Sequence, residues 1–262
     1  MIIHIVDDYK EMSARAADIV ASQVILKQNA VLGLATGSTP EGMYQQLVEK
    51  HREKTVDFSR VVTFNLDEYL GLSPRHAQSY HYYMRQHLFD HVNVSPQNIH
   101  IPQGQTENLE AMCLEYDQKI ADAGGIDLQV LGVGINGHIG FNEPDSYLKI
   151  QTHVIDLTQD TIEANSRFFD TPEEVPRQAV TMGMGSIMKS RRILLLASGA
   201  KKAPVIKETV SGKITTELPV SFLQLHPRVN MILDREAAAL LMEPGHKQYI
   251  TKALRRHVSF SA

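Results

Sequence analysis

Short apolar runs alternate with longer segments of helical periodicity along the chain. We predict strands at the following runs: MIIHIVDD, AVLGL, VVTFNLDEYLGL, IDLQVLGVG, THVIDL, QAVTMG, RRILLLASG and RVNMILD. Strands that alternate with helices are typical of a parallel or mostly parallel sheet covered on both faces. The sequence shows no internal repeat and no Pro/Ser-rich linker, so we expect a single-domain α/β fold, Rossmann-like, over residues 1–262.

Helical patterns lie between these runs. They are YKEMSARAADIVASQVILKQN, a segment that opens at Pro40, SYHYYMRQHLFDHV and NLEAMCLEYDQKIADAG. Proline at an early helical position, preceded by Ser and Thr, is a common start signal. Polar motifs follow several of the predicted strands, and ligands in such folds bind beyond the carboxyl ends of strands.

Composition narrows the class of protein. The formal net charge is −4 and the isoelectric point is near 6.3, which argues against a general affinity for nucleic acid or anionic membrane. No apolar run is long enough to span a bilayer. The one dense basic cluster, KALRRH at 252–257, is interpreted as a solvated helix face.

A single cysteine, Cys113, excludes an internal disulfide framework and fits a reducing compartment. It lies at helical spacing from Leu109 and Tyr116, so we expect a buried structural thiol. The N-terminal stretch turns acidic after six residues and lacks a basic region and a long apolar stretch, so we expect no signal peptide. The expected location is therefore the cytosol.

The stretch GLATGSTPEG (33–42) places Gly37, Ser38 and Thr39 between a strand and a helix. Small residues let backbone N–H groups approach an anion, and the helix dipole favours negative charge there. No Gly-Lys-[Ser/Thr] follows, so a nucleoside triphosphate loop is not indicated. A helix start without any ligand is an equally good interpretation of this stretch alone.

Two adjacent carboxylates, Asp67 and Glu68, end the strand in VVTFNLDEYLGL. Successive strand residues point to opposite faces, so both cannot serve one site without a twist in the backbone. One carboxylate could act as a base in a cleft while the other binds a neighbouring element. Taken alone, such a pair is more often a helix cap or a salt bridge.

The stretch GVGINGHIGFNEP (132–144) matches G-x-G-x-x-G, yet a dinucleotide site needs a helix at the last glycine and Pro144 leaves no room for one. No established metal-ligand spacing appears either. The remaining hypothesis is general acid–base chemistry by His138, supported by Glu143 and oriented by Asn136. The alternative is a histidine that only supports the turn.

These motifs together resemble the glucosamine-6-phosphate deaminase family. The matching stretches are LATGSTP, VTFNLDEYLGL, SYHYYM, GVGINGHIGFNEP, ANSRFFD and LQLHP. The resemblance implies opening of the sugar ring, isomerisation to a 2-imino form, and hydrolysis of glucosamine 6-phosphate to fructose 6-phosphate and ammonia. It implies a small-molecule sugar phosphate as the ligand, and no metal or organic cofactor.

The resemblance also implies roles for individual residues. Asp67 would move the proton from C2 to C1, and His138 would shuttle the proton in ring opening, held by Glu143 and Asn136. For the phosphate, the matching residues are Gly37, Ser38, Thr39, Arg167 and Lys202, with Lys201 as an alternative to Lys202.

The sequence departs from part of that family at two places. Some members have aspartate where Asn136 stands, so the negative charge beside His138 must come from Glu143 alone. Relatives activated by N-acetylglucosamine 6-phosphate carry an Arg-x-Lys pair where His153 and Ile155 stand here. An apolar residue cannot hold a phosphate, so we expect that allosteric site to be absent. Monomer and homo-oligomer both stay open.

Two alternative functions remain. A 6-phosphogluconolactonase shares Gly-His but continues without FNEP, so Glu143 and the FNLDEY stretch favour the deaminase. A sugar-phosphate sensor of the same fold would carry a DNA-binding helix-turn-helix. The chain begins directly with the first strand, and the presence of Asp67, His138 and Glu143 together indicates catalysis.

Overall fold

The computed structural model describes residues 1–166, 169, 171 and 174–242. The strands of this part of the chain are β1 (Ile2–Val6), β2 (Val31–Leu34), β3 (Val62–Asn65), β4 (Asp67–Tyr69), β5 (Ile99–His100), β6 (Leu128–Leu131), β7 (His153–Asp156), β8 (Gln178–Thr181), β9 (Ile193–Ala197) and β10 (Val229–Asp234). The helices are α1 (Tyr9–Leu26), α2 (Ser38–Arg52), α3 (Tyr80–His87), α4 (Leu109–Asp122), α5 (Gln159–Ser166), α6 (Met184–Lys189) and α7 (Ala203–Thr209).

Seven strands form the main sheet, in the order β1-β10-β9-β6-β2-β3-β5. Every neighbouring pair in it is parallel. The strands β6 and β9 are buried along their whole length, as expected for a sheet covered on both faces. The α/β fold class predicted from the alternation of strands and helices is therefore confirmed.

The helices divide between the two faces of this sheet. One face packs against α1, α2 and α3 through fully buried residues such as Met12, Tyr44 and Met84. The other face packs against α4, α6 and α7 through Tyr116, Ile187 and Ile206. Burial of these apolar residues is the main stabilising contribution of the fold.

A second sheet of three strands, in the order β4-β8-β7, is antiparallel. The prediction of one strand over VVTFNLDEYLGL is therefore wrong, because β3 and β4 belong to different sheets. The break is at Leu66, whose N–H donates to the carbonyl of Leu34 in the main sheet. Its carbonyl accepts the N–H of Met182 at 2.6 Å, directly after β8. Leu66 thus joins the two sheets immediately before Asp67.

The strand β5, at the edge of the main sheet, is not among the strands that the sequence pattern predicts. The other differences concern the ends of helices. The helix α2 begins at Ser38 rather than Pro40, which is its third residue. The helix α3 ends at His87, and a short 3-10 turn, Phe89–His91, follows it. Over the described ranges, no helix has the length and apolar character needed to cross a membrane. The domain extent of 1–262 stays a prediction, and the KALRRH cluster lies outside the described residues.

Asp127 fixes the start of the strand that leads to the glycine-rich stretch. Its side chain is 4% exposed and accepts the N–H of Val31 at 2.8 Å and the ammonium of Lys27 at 2.7 Å. The guanidinium of Arg191 lies 3.3 Å away. One carboxylate therefore ties β2, β6, the end of α1 and the segment before β9.

We predict that Asp127→Ala lowers the free energy of unfolding by about 2 to 4 kcal/mol, because the Val31 N–H is left buried without its acceptor. Urea denaturation measures the change. The matched control is Asp18→Ala, which removes one ion pair with Lys50 at an Asp side chain that is 64% exposed and should cost less than about 1 kcal/mol. Equal effects of the two substitutions would contradict the assignment.

Candidate active site

Asp67 is the first residue of β4 and is 6% exposed. Within the described part of the chain, no group donates a hydrogen bond to its carboxylate. Burial, followed by the nearby charge of Glu68, raises the pKa of Asp67 to about 8. A carboxyl group with a pKa near neutrality is suited to take up and release a proton.

Glu68 points away from Asp67, as strand alternation requires. Its carboxylate accepts the N–H groups of Tyr69 at 2.8 Å, Tyr80 at 2.9 Å and His81 at 3.0 Å. The Nδ1 atom of His81 is a further contact, at 2.8 Å. Glu68 therefore binds the first turn of α3, where the helix dipole favours a negative charge.

Three tyrosines from three helices lie close enough to Asp67 to interact with it electrostatically: Tyr44 in α2, Tyr80 in α3 and Tyr116 in α4. The Tyr44 hydroxyl donates to the carbonyl of Ala35 at 2.6 Å, and the Tyr116 hydroxyl donates to that of Asn65 at 2.7 Å. Because these protons are directed to main-chain carbonyls, they leave Asp67 in a desolvated site without a compensating donor.

His138 and its two expected partners form one hydrogen-bonded group. The Nδ1 atom of His138 lies 3.1 Å from Oε2 of Glu143. Asn136 donates from Nδ2 to the same oxygen at 2.7 Å and accepts the His138 N–H at 3.2 Å. Glu143 is 5% exposed at its side chain and His138 is 26% exposed, so Nε2 is the nitrogen left to meet a ligand.

Glycine is required at two positions of this stretch. A Cβ on Gly134 would lie 2.4 Å from the imidazole of His138. Gly140 has φ of +59°, and a Cβ there would lie 2.9 Å from Oγ1 of Thr181 and 3.4 Å from Oδ2 of Asp67. Because Gly140 has no side chain, the turn can pack against Asp67.

Residues 132–152 contain no helix, so the stretch lacks the element that a dinucleotide fingerprint requires.

The stretch around Gly37, Ser38 and Thr39, predicted to bind an anion, lies beside this turn. Gly37, with φ of +90°, is the N-cap of α2 and has no side chain to satisfy the first N–H groups of the helix. A cavity of about 410 Å³ is lined by Ser38, Thr39 and Ser198 among others. A Cβ built on Gly132 would lie 4.0 Å from Cβ of Thr39, so the stretch adjoins the glycine-rich turn.

Lys202 is half-buried and donates from Nζ to the carbonyl of Val133 at 2.7 Å. Burial lowers its pKa. Lys201 is exposed, so Lys202 is the lysine that contacts the glycine-rich stretch. Arg167 lies outside the described residues.

Sequence reasoning did not find several residues that shape the site. Thr181 accepts the Phe141 N–H at 3.0 Å and lies beside Gly140, although it comes from a distant strand. Tyr44 and Tyr116 occupy buried helical positions that are typical of core residues. No local sequence signal distinguishes them, because their role depends on carbonyls at the ends of other strands.

Cys113 is 5% exposed, and burial raises the pKa of its thiol, which agrees with the expected structural thiol.

Known proteins resemble this chain over most of its length. A protein of Halothermothrix orenii named glucosamine-6-phosphate deaminase is 59% identical over 241 residues, which cover 92% of this chain and 100% of the relative. A solved monomeric glucosamine-6-phosphate deaminase matches with a TM-score of 0.89 at 45% identity, covering 92% of this chain and 100% of that one.

A more distant match is the structure of 6-phosphogluconolactonase from Thermotoga maritima, with a TM-score of 0.72 at 20% identity over 89% of this chain and 99% of that one. At that identity the likeness shows the fold alone. The family model described as glucosamine-6-phosphate isomerases/6-phosphogluconolactonase matches residues 7–232. The chain therefore belongs to the glucosamine-6-phosphate isomerase and 6-phosphogluconolactonase family.

Proposed function

We propose that this chain converts glucosamine 6-phosphate and water to fructose 6-phosphate and ammonia. The observation that carries the proposal is the desolvated Asp67 carboxylate beside a turn that holds the His138–Glu143 pair. A ring-opening step and a carbon-to-carbon proton transfer need two acid–base groups, and Gly140 brings the turn that carries His138 against Asp67. The relative named glucosamine-6-phosphate deaminase at 59% identity supports the same activity.

The first step is opening of the pyranose ring. His138 takes the proton of the C1 hydroxyl through Nε2 and returns a proton to the ring oxygen, so the C1–O5 bond breaks and a C1 aldehyde forms. Glu143 accepts the hydrogen bond of Nδ1–H and stabilises the transient imidazolium. Asn136 fixes Glu143 through a 2.7 Å hydrogen bond, and Glu143 supplies the only negative charge of the group.

The second step moves a proton between adjacent carbons. Asp67 removes the proton at C2 while a proton of the substrate's own 2-ammonium group moves to O1, giving an enol-amine. Asp67 then delivers its proton to C1, giving the protonated 2-imino form with a hydroxyl at C1. Water then adds to the imine, and loss of ammonia leaves the C2 ketone of fructose 6-phosphate. A carboxylate freed from water is a stronger base than one on the surface, which is the chemical benefit of the burial at Asp67.

The phosphate supplies binding energy at a distance from the reacting carbons. We assign it to Gly37, Ser38 and Thr39 at the start of α2, with positive charge from Lys202 and Arg167. The first two residues of α2 present backbone N–H groups that have no partner within the helix. The assignment of Arg167 to the phosphate rests only on its match to the family motif.

We propose a cytosolic location, because the single cysteine of the sequence can form no internal disulfide and fits a reducing compartment.

Hydrolysis of a sugar lactone is the alternative activity within the family. It needs no carbon-bound proton to move, so it gives no reason for a desolvated carboxylate at Asp67. The solved lactonase cited above is related at the level of fold alone.

We predict that Asp67→Asn and His138→Gln each lower kcat/KM for ammonia release from glucosamine 6-phosphate by on the order of 10²- to 10⁴-fold, because each removes a proton-transfer group. Coupled assays of ammonia and fructose 6-phosphate, without added metal, measure the products. The matched control is Asp145→Asn, an exposed carboxylate immediately after the glycine-rich stretch, which should keep wild-type activity. Folded wild-type protein that releases no ammonia but hydrolyses 6-phosphogluconolactone would sink the proposal.

The raised pKa of Asp67 predicts opposite effects on activity and stability. Between about pH 4 and about pH 8 the folded state holds a proton that the unfolded state has lost, so this group's contribution to stability declines as pH rises through that range. An asparagine side chain at this position has no such proton to lose. The free energy of unfolding of Asp67→Asn, measured relative to that of the wild type, should therefore increase as pH rises. The slope of this difference is at most about 1.4 kcal/mol per pH unit.

Urea denaturation near pH 5, 7 and 9 tests this, with the exposed Asp122→Asn as the control for loss of a carboxylate elsewhere. In the active wild type, kcat/KM should fall as pH drops below about 8, since the base must be deprotonated. A stability difference between Asp67→Asn and wild type that does not change with pH would show that Asp67 ionises like an exposed carboxylate.

The expected absence of an allosteric phosphate site generates a further prediction. His153 is on β7, and burial lowers its pKa, which disfavours the charged form that could bind an anion. Ile155 packs against the apolar group that contains Tyr69 and Phe141. N-acetylglucosamine 6-phosphate should therefore leave the substrate saturation curve unchanged at concentrations that saturate activated relatives. Sigmoidal kinetics that this compound makes hyperbolic would refute the prediction.

A further inference from the structure

Two tyrosine hydroxyls donate hydrogen bonds to the backbone carbonyls of two consecutive residues in the stretch assigned to the phosphate. Tyr83, in α3, donates to the carbonyl of Gly37 at 2.7 Å. Tyr9, the first residue of α1, donates to the carbonyl of Ser38 at 2.9 Å. The same Tyr9 hydroxyl accepts the N–H of Gly42 at 2.8 Å. The first turn of α2 is thus held from two neighbouring helices, by groups that belong to neither α2 nor the glycine-rich stretch.

Peptide geometry connects these bonds to the anion. A trans peptide is planar, and its C=O and N–H point in opposite directions. The carbonyl of Gly37 shares its peptide with the N–H of Ser38, and the carbonyl of Ser38 shares its peptide with the N–H of Thr39. The described residues contain no cis peptide bond. Fixing these two carbonyls on one side therefore fixes two consecutive N–H groups on the other.

The stretch needs an external support of this kind. Gly37 has φ of +90° and ψ of −179°, and no side chain caps the helix that begins after it. Glycine loses more conformational freedom on ordering than any other residue, so a turn of this type is costly to hold in one orientation. A binding site whose donors are already fixed avoids that ordering cost when the ligand arrives.

We propose that Tyr9 and Tyr83 are positioning residues for the substrate phosphate, which hold the N–H groups of Ser38 and Thr39 in the orientation that binds it. The inference rests on the proposed function for the assignment of the phosphate to this stretch. Within the described residues, neither hydroxyl forms a hydrogen bond with Asp67 or His138, so we expect the pair to control phosphate affinity and to leave proton transfer unchanged. Burial raises the pKa of Tyr83, so its hydroxyl stays a donor at any physiological pH.

Phenylalanine removes each hydroxyl and keeps the ring. This matters for Tyr83, whose ring lies 4.2 Å from that of His87, centroid to centroid. A matched control is present on the same helix: Tyr82 is 37% exposed, and its hydroxyl forms no hydrogen bond with a described residue. The variants to compare are therefore Tyr83→Phe, Tyr9→Phe, the double variant and Tyr82→Phe.

The measurements are the dissociation constant for inorganic phosphate by calorimetry, the steady-state constants for glucosamine 6-phosphate, and the melting temperature. For each single variant we expect phosphate affinity to fall and KM to rise by about threefold to tenfold, the equivalent of one lost hydrogen bond, with kcat within about twofold of wild type. The double variant should lose more than either single variant, and Tyr82→Phe should match the wild type.

The design separates failure of the inference from failure of the proposed function. Wild-type protein that binds phosphate but releases no ammonia would remove the proposed function, and the phosphate constants of the variants would still decide the role of the tyrosines. Wild-type protein that binds no inorganic phosphate, or variants with unchanged phosphate affinity, would overturn the inference. A fall in kcat with unchanged KM would do the same, since the tyrosines would then act on the chemical step.

Discussion

The site depends on the way Glu68 is bound. This carboxylate is 2% exposed at its side chain and is surrounded by three backbone N–H groups and the imidazole of His81. A charge buried to this extent would be very costly without such partners. Because Glu68 must face α3, the preceding residue of the strand must face the opposite side, which is where Gly140 approaches. The direction of Asp67 is thus a consequence of how its neighbour is satisfied.

Asp67 itself is a site where function opposes stability. Two nearby tyrosine hydroxyls, of Tyr44 and Tyr116, donate to carbonyls at the ends of β2 and β3 rather than to this carboxylate. A hydrogen bond to Asp67 would stabilise the charged form and lower its pKa. The fold therefore keeps a group that is unfavourable to bury in its ionised form, and proteins commonly accept such local destabilisation where chemistry requires it.

The sequence was sufficient to predict most of the scaffold, because each buried strand is a short apolar run followed by glycine or polar residues. It failed at Leu66, where one apolar pattern continues across two sheets. Pattern alone cannot show this break, since β4 is defined by pairing with β8, whose Thr181 is opposite Asp67. The pairing of β4 with β8 joins residues more than a hundred positions apart, and local periodicity carries no information about such contacts.

The same distinction holds at the site. Asp67, His138 and Glu143 could be named from the sequence because they lie within short motifs whose spacing carries chemical meaning. The residues around them could not, because Tyr9 and Tyr83 have no motif and come from separate helices. Their contribution appears only once the two hydroxyls and the two carbonyls are placed together. Motifs thus identify the groups that react, whereas the orientation of those groups and of the phosphate donors is set by residues whose sequence context is ordinary. Relatives with the same motifs can therefore differ in affinity for the sugar phosphate while keeping the same proton-transfer chemistry.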